Sequence, residues 1–415
     1  MRTPFVLGFA ILAAACFEDS DAVPPGDGTT GGGSTTGQGS GAPATGTSDG
    51  ADSTGATSAT TGAPGGSSST GGDASTGASA TAWSIRLSTD LPAAVVKGES
   101  ELANVPVLVR LTPGRFDYAA AAADGSDLRF VSELADDVAL PHEVERWEPD
   151  GTSLVWVRVP ELGATPEEDE FWLLYGDTGL DPWSDPRDVW SNGFAAVWHF
   201  GGDEEVPAMF VDSTAEAHVM TPDGASAKYS LDAGPGGFGT ALVIDEPTRL
   251  LVPDGASLDT SQPLSLEAWV RPSVTSATSN HREIVDKPAA YRLVAVNLNN
   301  GRPFANFLNT ADAEITASGP AALPASTWSY LVGTYDGQTL RLYVDGTSVA
   351  QMGSPVGAST NTAELQVGVR FAGRIDELRI AGAARSAAWI EVQRSAMLDE
   401  LLDYGAPVPF GAAGD

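Results

Sequence analysis

Residues 18–82 contain no aromatic side chain, and Trp83 ends that run. This gap sets where folding can begin. From Ser20 to about Ala82 the chain is almost entirely Gly, Ser, Thr, Ala, Asp and Pro, as in T-T-G-G-G-S-T-T-G-Q-G-S-G. Such a stretch buries too little apolar area to offset the entropy of ordering. We expect a flexible tether of about 60 residues with a root-mean-square reach of about 40 to 45 Å. Gly46-Thr47-Ser48-Asp49-Gly50 matches the G-x-S-x-G spacing of a nucleophile elbow. No strand or helix is expected around it, so it carries no catalytic reading.

Upstream, Met1 and Arg2 form a small positive region, and Phe5 to Ala15 an apolar run too short to span a bilayer, which needs about 20 residues. Leu12-Ala13-Ala14-Ala15-Cys16 follows, with the only cysteine of the 415 residues. The stretch resembles a bacterial lipoprotein signal with its lipobox, departing from it in Ala13 where leucine is commoner. The resemblance implies a signal peptide over 1–15, a lipidated Cys16 and a tether over 16–82. Phe17 in place of aspartate after the cysteine points, in that family, to the outer membrane or cell surface. A single thiol also excludes an intrachain disulfide and a cysteine-based zinc site.

The net charge of −33 repels polyphosphate, so no nucleic-acid partner is expected. His142, His199, His218 and His281 are far apart in sequence, none at H-x-x-H or H-E-x-x-H spacing. They read as surface or strand residues rather than metal ligands.

After Trp83, short apolar runs recur between turn signals, with strands expected at Leu108 to Leu111, Asp127 to Val131, Leu154 to Val159 and Phe171 to Tyr175. The blocks V-P-V-L-V-R-L, A-D-G-S-D-L-R-F-V, L-P-H-E-V-E-R-W, L-V-W-V-R-V-P and F-W-L-L-Y-G resemble, in order, a family known as domain of unknown function 2341. An all-β, sandwich-like domain is therefore expected over 83–185. Asp181 to Gly193, with the prolines of D-P-W-S-D-P-R, reads as a short stiff join.

From Phe194 the pattern renews. Leu264, Leu266, Ala268 and Val270 share one face of a strand, while Ser265, Glu267, Trp269 and Arg271 share the other. W-S-Y-L-V-G-T-Y, T-L-R-L-Y-V and T-S-V-A are separated by Asp336-Gly337 and Asp345-Gly346, the dipeptides that favour type I′ hairpins. A helix is expected from Ser386, its N-cap, to about Leu402. The blocks A-V-W-H-F, G-T-A-L-V-I-D, L-S-L-E-A-W-V-R, L-R-L-Y-V-D-G and F-A-G-R-I-D-E-L-R-I-A resemble the laminin-G-like, concanavalin A-like jelly-roll family. That resemblance implies a two-sheet antiparallel sandwich over 194–402, followed by a tail at 403–415. It also implies that Trp198, Trp269 and Trp328 pack in the core or on sheet faces.

Members of this family often carry calcium. The resemblance places possible ligands at Asp376 of G-R-I-D-E, at Asp212 and, more weakly, at Asp245. Calcium needs six to eight oxygens, so two or three aspartates do not complete a site.

Sugar-cleaving enzymes of the same architecture use an E-x-D-x-E strand, absent from 194–402. Glu143 and Glu145 of H-E-V-E-R-W-E do share a strand face, yet read as a solvated face of the first domain. The resulting expectation is a non-catalytic envelope lipoprotein, anchored through Cys16, whose jelly roll binds a glycan or an extracellular protein. The alternatives are a structural envelope component without sugar binding and, less favoured, a glycoside hydrolase.

Overall fold

The computed structural model describes residues 82–410, apart from 90–101, 135–137, 164–168, 180, 182, 202–209, 225–228, 238, 246–247 and 260–262. Cys16 and the tether lie outside the described residues. As the recurring short runs imply, the body is built from antiparallel strands, with two short helical segments longer than a 3₁₀ turn among the described residues.

The first domain is a sandwich of two unequal sheets. One orders the strands Leu402–Tyr404, Trp83–Thr89, Glu170–Tyr175, Arg129–Val131 and Ala139–Leu140, and the other Ala103–Leu111, Ser153–Glu161 and His142–Arg146. Between them lie Ile85, Val107, Val109, Phe130, Val155, Val157 and Phe171, all essentially inaccessible. The chain leaves through a short helix, Pro186–Val189, capped by the Asp185 carboxylate accepting from the Asp188 N–H. Proline at the first helical position needs no hydrogen bond there, so D-P-R nucleates the turn.

The second domain is the expected sandwich of two larger sheets. One orders Glu314–Ser318, Phe304–Leu308, Tyr291–Val296, Arg282–Lys287, Leu365–Val367, Leu250–Val252, Val219–Pro222 and Phe210–Val211. The other orders Tyr229–Ala233, Thr240–Ile244, Gly373–Ala381, Leu264–Pro272, Ser329–Tyr335, Thr339–Val344 and Thr347–Gly353, with Phe194–Trp198 also pairing to Gly373–Ala381. Leu264, Leu266, Ala268 and Val270 point between the sheets, as their alternation requires.

Asp345-Gly346 makes the expected two-residue hairpin, with Val344 opposite Thr347 and φ of 49° and 80°. Asp336-Gly337 does not. There Tyr335 faces Leu340, and Asp336 Oδ1 accepts from the N–H groups of Gln338 and Thr339, so a longer turn forms around an aspartate cap.

The helix begins at the Ser386 cap but spans only Ala387–Met397. It stops early because Asp399 turns through φ 63° and Leu402–Tyr404 pairs with Trp83–Thr89. Val408–Pro409 pairs with the same strand, so residues read as a tail complete the first domain's sheet.

The two sheets of the second domain differ in what covers their outer faces. Trp269, Tyr330, Val332 and Tyr343 point outward from the second sheet and join the core of the first domain, together with Trp389, Val392 and Met397 of the helix. The centre of that sheet is buried on both sides: every residue of Ser329–Tyr335 is buried. Trp198 and Trp269 are core residues, and Trp328 is half-buried against the same cluster.

Candidate functional site

Two groups of polar side chains stand out, one sealed between the domains and one on the open sheet.

The sealed group grows from the doubly covered sheet. Gly373–Ala381 runs G-R-I-D-E-L-R-I-A, with charged residues between apolar ones. In a sheet with one wet face those charges would reach water. Here Asp376, Glu377 and Arg379 are 4%, 7% and 1% exposed. A buried charge is tolerated only when paired and hydrogen-bonded, and Arg379 meets both conditions. Its Nη1 donates to Gln393 Oε1 at 2.6 Å, its Nη2 donates to Glu377 Oε2, and its guanidinium lies 4.6 Å from the Trp156 ring and 5.0 Å from the Trp190 ring. Gln393 in turn donates to the Pro106 carbonyl of the first domain at 2.7 Å.

Opposite stands the strand His142–Arg146. Glu143 and Glu145 share a face of it, as their spacing requires, but the expectation that this face is solvated is wrong. Their side chains are only 15% and 6% exposed. The Trp156 indole N–H donates to Glu145 Oε2 at 2.8 Å; the Trp190 N–H and the Ser213 hydroxyl donate to the two oxygens of Glu143. Between the two acidic strands sits His199, also expected at a surface or in an ordinary strand position, and in fact buried. Its Nδ1 lies 2.8 Å from Glu377 Oε1 and 3.8 Å from Glu145 Oε2, and its Nε2 3.6 Å from Glu143 Oε2. Its ring stacks on Trp156 at 5.7 Å.

Burial and neighbouring charge set the protonation. Burial, then the adjacent Glu377, pushes Glu145 up to about 7. Burial also lifts Asp376 well above the carboxylate range, with Glu377 and Glu145 adding to it. For Glu377, burial acts upward but His199 and Arg379 prevail and hold it at about 2. Burial would lower His199, yet Glu377 and Glu143 hold it well above its ordinary value. Ion pairing of this kind can bind two surfaces or hold a ligand, and the pKa pattern alone does not choose.

The aspartates expected to hold calcium are placed separately. Asp212 is buried, and its oxygens accept from the Thr214 N–H and hydroxyl and from the His218 N–H, which makes it a turn cap. Asp376 accepts from the Glu377 N–H at 2.8 Å. Asp245 is exposed. Among the described residues the group that converges is Glu145, His199 and Glu377, whose ligand atoms lie within 4.8 Å of one another, and not these three aspartates.

The open group lies on the outer face of the first sheet of the second domain. Gln366, Asp286, Arg292, Asn306 and Thr316 stand in one row across it, each opposite the next in register. Asn306 donates to Thr316 Oγ1 at 2.7 Å, and Arg292 donates to Glu314 Oε1 at 3.0 Å. Behind them Phe304 is roofed by Arg292 at 5.6 Å and His281 at 5.1 Å. Glu283, 3.7 Å from Arg292, is pushed by burial and by Asp286 up to about 7. Asp286, Arg292, Asn306 and Glu314 border a cavity of about 250 Å³. No single motif marks these residues in sequence. Their only signal is the polar alternation of R-E-I-V-D-K, Y-R-L-V-A-V and F-A-N-F-L.

Residues 246–391 match the family described as Concanavalin A-like lectin/glucanases superfamily, and residues 124–207 match the Domain of unknown function (DUF2341). The chain joins a DUF2341 domain to a concanavalin A-like domain. No curated protein matches it in sequence. Among solved structures, the binding domain of Paraclostridial Mosquitocidal Protein 1 is 11% identical, with 50% of this chain and 52% of that one covered and a TM-score of 0.41. Domain 4 of AbnA, a GH43 extracellular arabinanase from Geobacillus stearothermophilus, in complex with arabinotriose, is 20% identical over 48% of this chain and 98% of that one, at 0.38. The binding domain of Botulinum Neurotoxin DC in complex with SialylT is 8% identical over 50% and 52%, at 0.40. The chain thus spans about half the length of the first and third of these.

Proposed function

We propose that the chain is a non-catalytic cell-envelope lipoprotein, anchored through Cys16, whose concanavalin A-like domain binds a glycan or an extracellular protein on its open sheet. One observation carries this reading: the DUF2341 domain closes the outer face of one sheet and leaves the other sheet's outer face open, with a polar cavity on it. Asp286, Asn306 and Glu314 supply acceptors, Arg292 and Asn306 supply donors, and Ala289 and Leu308 supply apolar surface. Few placed polar groups over an apolar floor are what a small-ligand site needs. The pair Glu143 and Glu145 offers little to a hydrolytic alternative, because indole N–H groups and His199 occupy their oxygens. Calcium at Asp376, Asp212 or Asp245 stays a proposal that the full chain can test by thermal shift in calcium against chelator. For the ligand, a glycan array probed with the full chain, with and without calcium, is decisive. Silence in both conditions overturns the sugar-binding reading.

A further inference from the structure

The cluster at the domain junction holds more negative charge than its cations balance. Five carboxylates, Glu143, Glu145, Glu267, Asp376 and Glu377, face the guanidiniums of Arg110 and Arg379 and the imidazole of His199. Two negative charges are left for protons or for one divalent cation.

The geometry points to a divalent transition-metal site, of the zinc class, formed by Glu145 of the first sandwich with His199 and Glu377 of the second. Four observations support it. First, Nδ1 of His199 faces both carboxylates, at 2.8 Å from Glu377 and 3.8 Å from Glu145. Two ligands on a tetrahedral zinc with bonds of about 2.0 to 2.1 Å lie roughly 3.3 Å apart, so the observed pair of distances brackets the required one. Second, the other ring nitrogen, Nε2, is buried without a hydrogen-bond partner and points at Glu143, 3.6 Å away. A metal-bound imidazole characteristically donates its free N–H to a carboxylate, which fixes its tautomer. Third, the three carboxylates around His199 are already oriented from outside: Glu145 by Trp156, Glu143 by Trp190 and Ser213, Glu377 by Arg379. Fourth, a cavity of about 20 Å³ lined by Glu145, Asp376 and Glu377 has room for one water as a further ligand. A cleft beside Glu143, Glu145 and His199 provides the way in.

Imidazole nitrogen favours zinc-like ions over calcium, which takes oxygen ligands. Binding exchanges protons for the ion: the Nδ1 proton shared with Glu377 and any proton on Glu145 leave to solvent, and no bond of the chain is broken. The ion would staple the two domains, and its site does not depend on the ligand reading of the open sheet.

The test uses the full chain, stripped with a chelator, dialysed and reloaded with zinc chloride. We expect one zinc per chain by elemental analysis and a rise in thermal midpoint on loading. His199→Gln and Glu145→Gln should each weaken zinc by more than about 100-fold, since loss of an outer partner alone costs 10- to 100-fold. Glu143→Gln should cost about 10- to 100-fold. If a variant does not fold, X-ray absorption of the zinc-loaded wild type decides: one imidazole with oxygen ligands supports the site, and an all-oxygen shell overturns it. No uptake by the folded wild type, or undiminished uptake by both ligand variants, also overturns it and leaves protons as the balancing charge.

Discussion

The Glu145 carboxylate of the first domain lies 3.8 Å from Nδ1 of His199 in the second, and Trp156 touches both, donating to the one and stacking on the other. The two β-domains thus share polar contacts as well as a common apolar core. An interface of buried charges is costly to disturb from one side, because the remaining partner has no water to turn to.

Arg379 is the point where that cost concentrates. It neutralises Glu377 and lies against two indole rings, so Arg379→Met should destabilise the chain by about 3 to 5 kcal/mol in denaturant unfolding. Arg379→Lys should recover little of this, since an ammonium cannot reach Gln393 and Glu377 with the same planar fork.

His142 makes a separable contribution on the acid side. It is 2% exposed, and burial lowers its pKa to about 4, whereas the unfolded chain takes up that proton at about 6.5. At this one site the unfolded state therefore binds more protons between these values, and the contribution of His142 to stability falls as pH drops from about 6.5 to about 4, by roughly 3 kcal/mol, while Glu145 and Glu283, both raised to about 7, contribute in the opposite sense. His142→Phe, which keeps the packing on Phe130, should gain stability relative to the wild type as pH falls through this window, read as the difference between the two proteins' unfolding midpoints measured across pH.

Gly373 opens the strand that carries Asp376, Glu377 and Arg379. Its φ is 151°, and a Cβ there would come within 2.3 Å of the Arg271 carbonyl oxygen. Gly373→Ala should cost at least about 2 kcal/mol by thermal unfolding, through backbone strain as well as the clash.

Much of the fold was legible because alternation and turn chemistry act locally. Leu264, Leu266, Ala268 and Val270 found their face, and Asp345-Gly346 its hairpin. What stayed hidden depended on what covers each sheet. Glu143 and Glu145 were correctly placed on one face, but nothing local says whether water or another domain lies against it. Glu145 and Glu377 come from distant strands and His199 from the residue just after a third, so spacing could not unite them. A hint was available in G-R-I-D-E-L-R-I and L-S-L-E-A-W-V-R, where charges alternate with apolar residues in strands that also carry tryptophan or arginine able to pack flat. The open row of Asp286, Arg292 and Asn306 was unreadable for the opposite reason: ordinary solvated strand faces look the same.

Anchoring is tested at Cys16. Mass spectrometry of the mature N-terminus should find a diacylated cysteine, and Cys16→Ser should release the chain from the membrane fraction. An unmodified or differently cut N-terminus contradicts the anchor.

The central claim is that the uncovered sheet is the binding surface. A glycan array probed in parallel with the full chain and its Arg292→Ala variant tests it most directly, because Arg292 lies on the open face, away from the domain junction, and an unfolding curve of the variant shows separately that it stays folded. The account predicts a defined set of glycans bound by the wild type and lost in the variant. Silence of the wild type, or equal signals from both proteins, would contradict it.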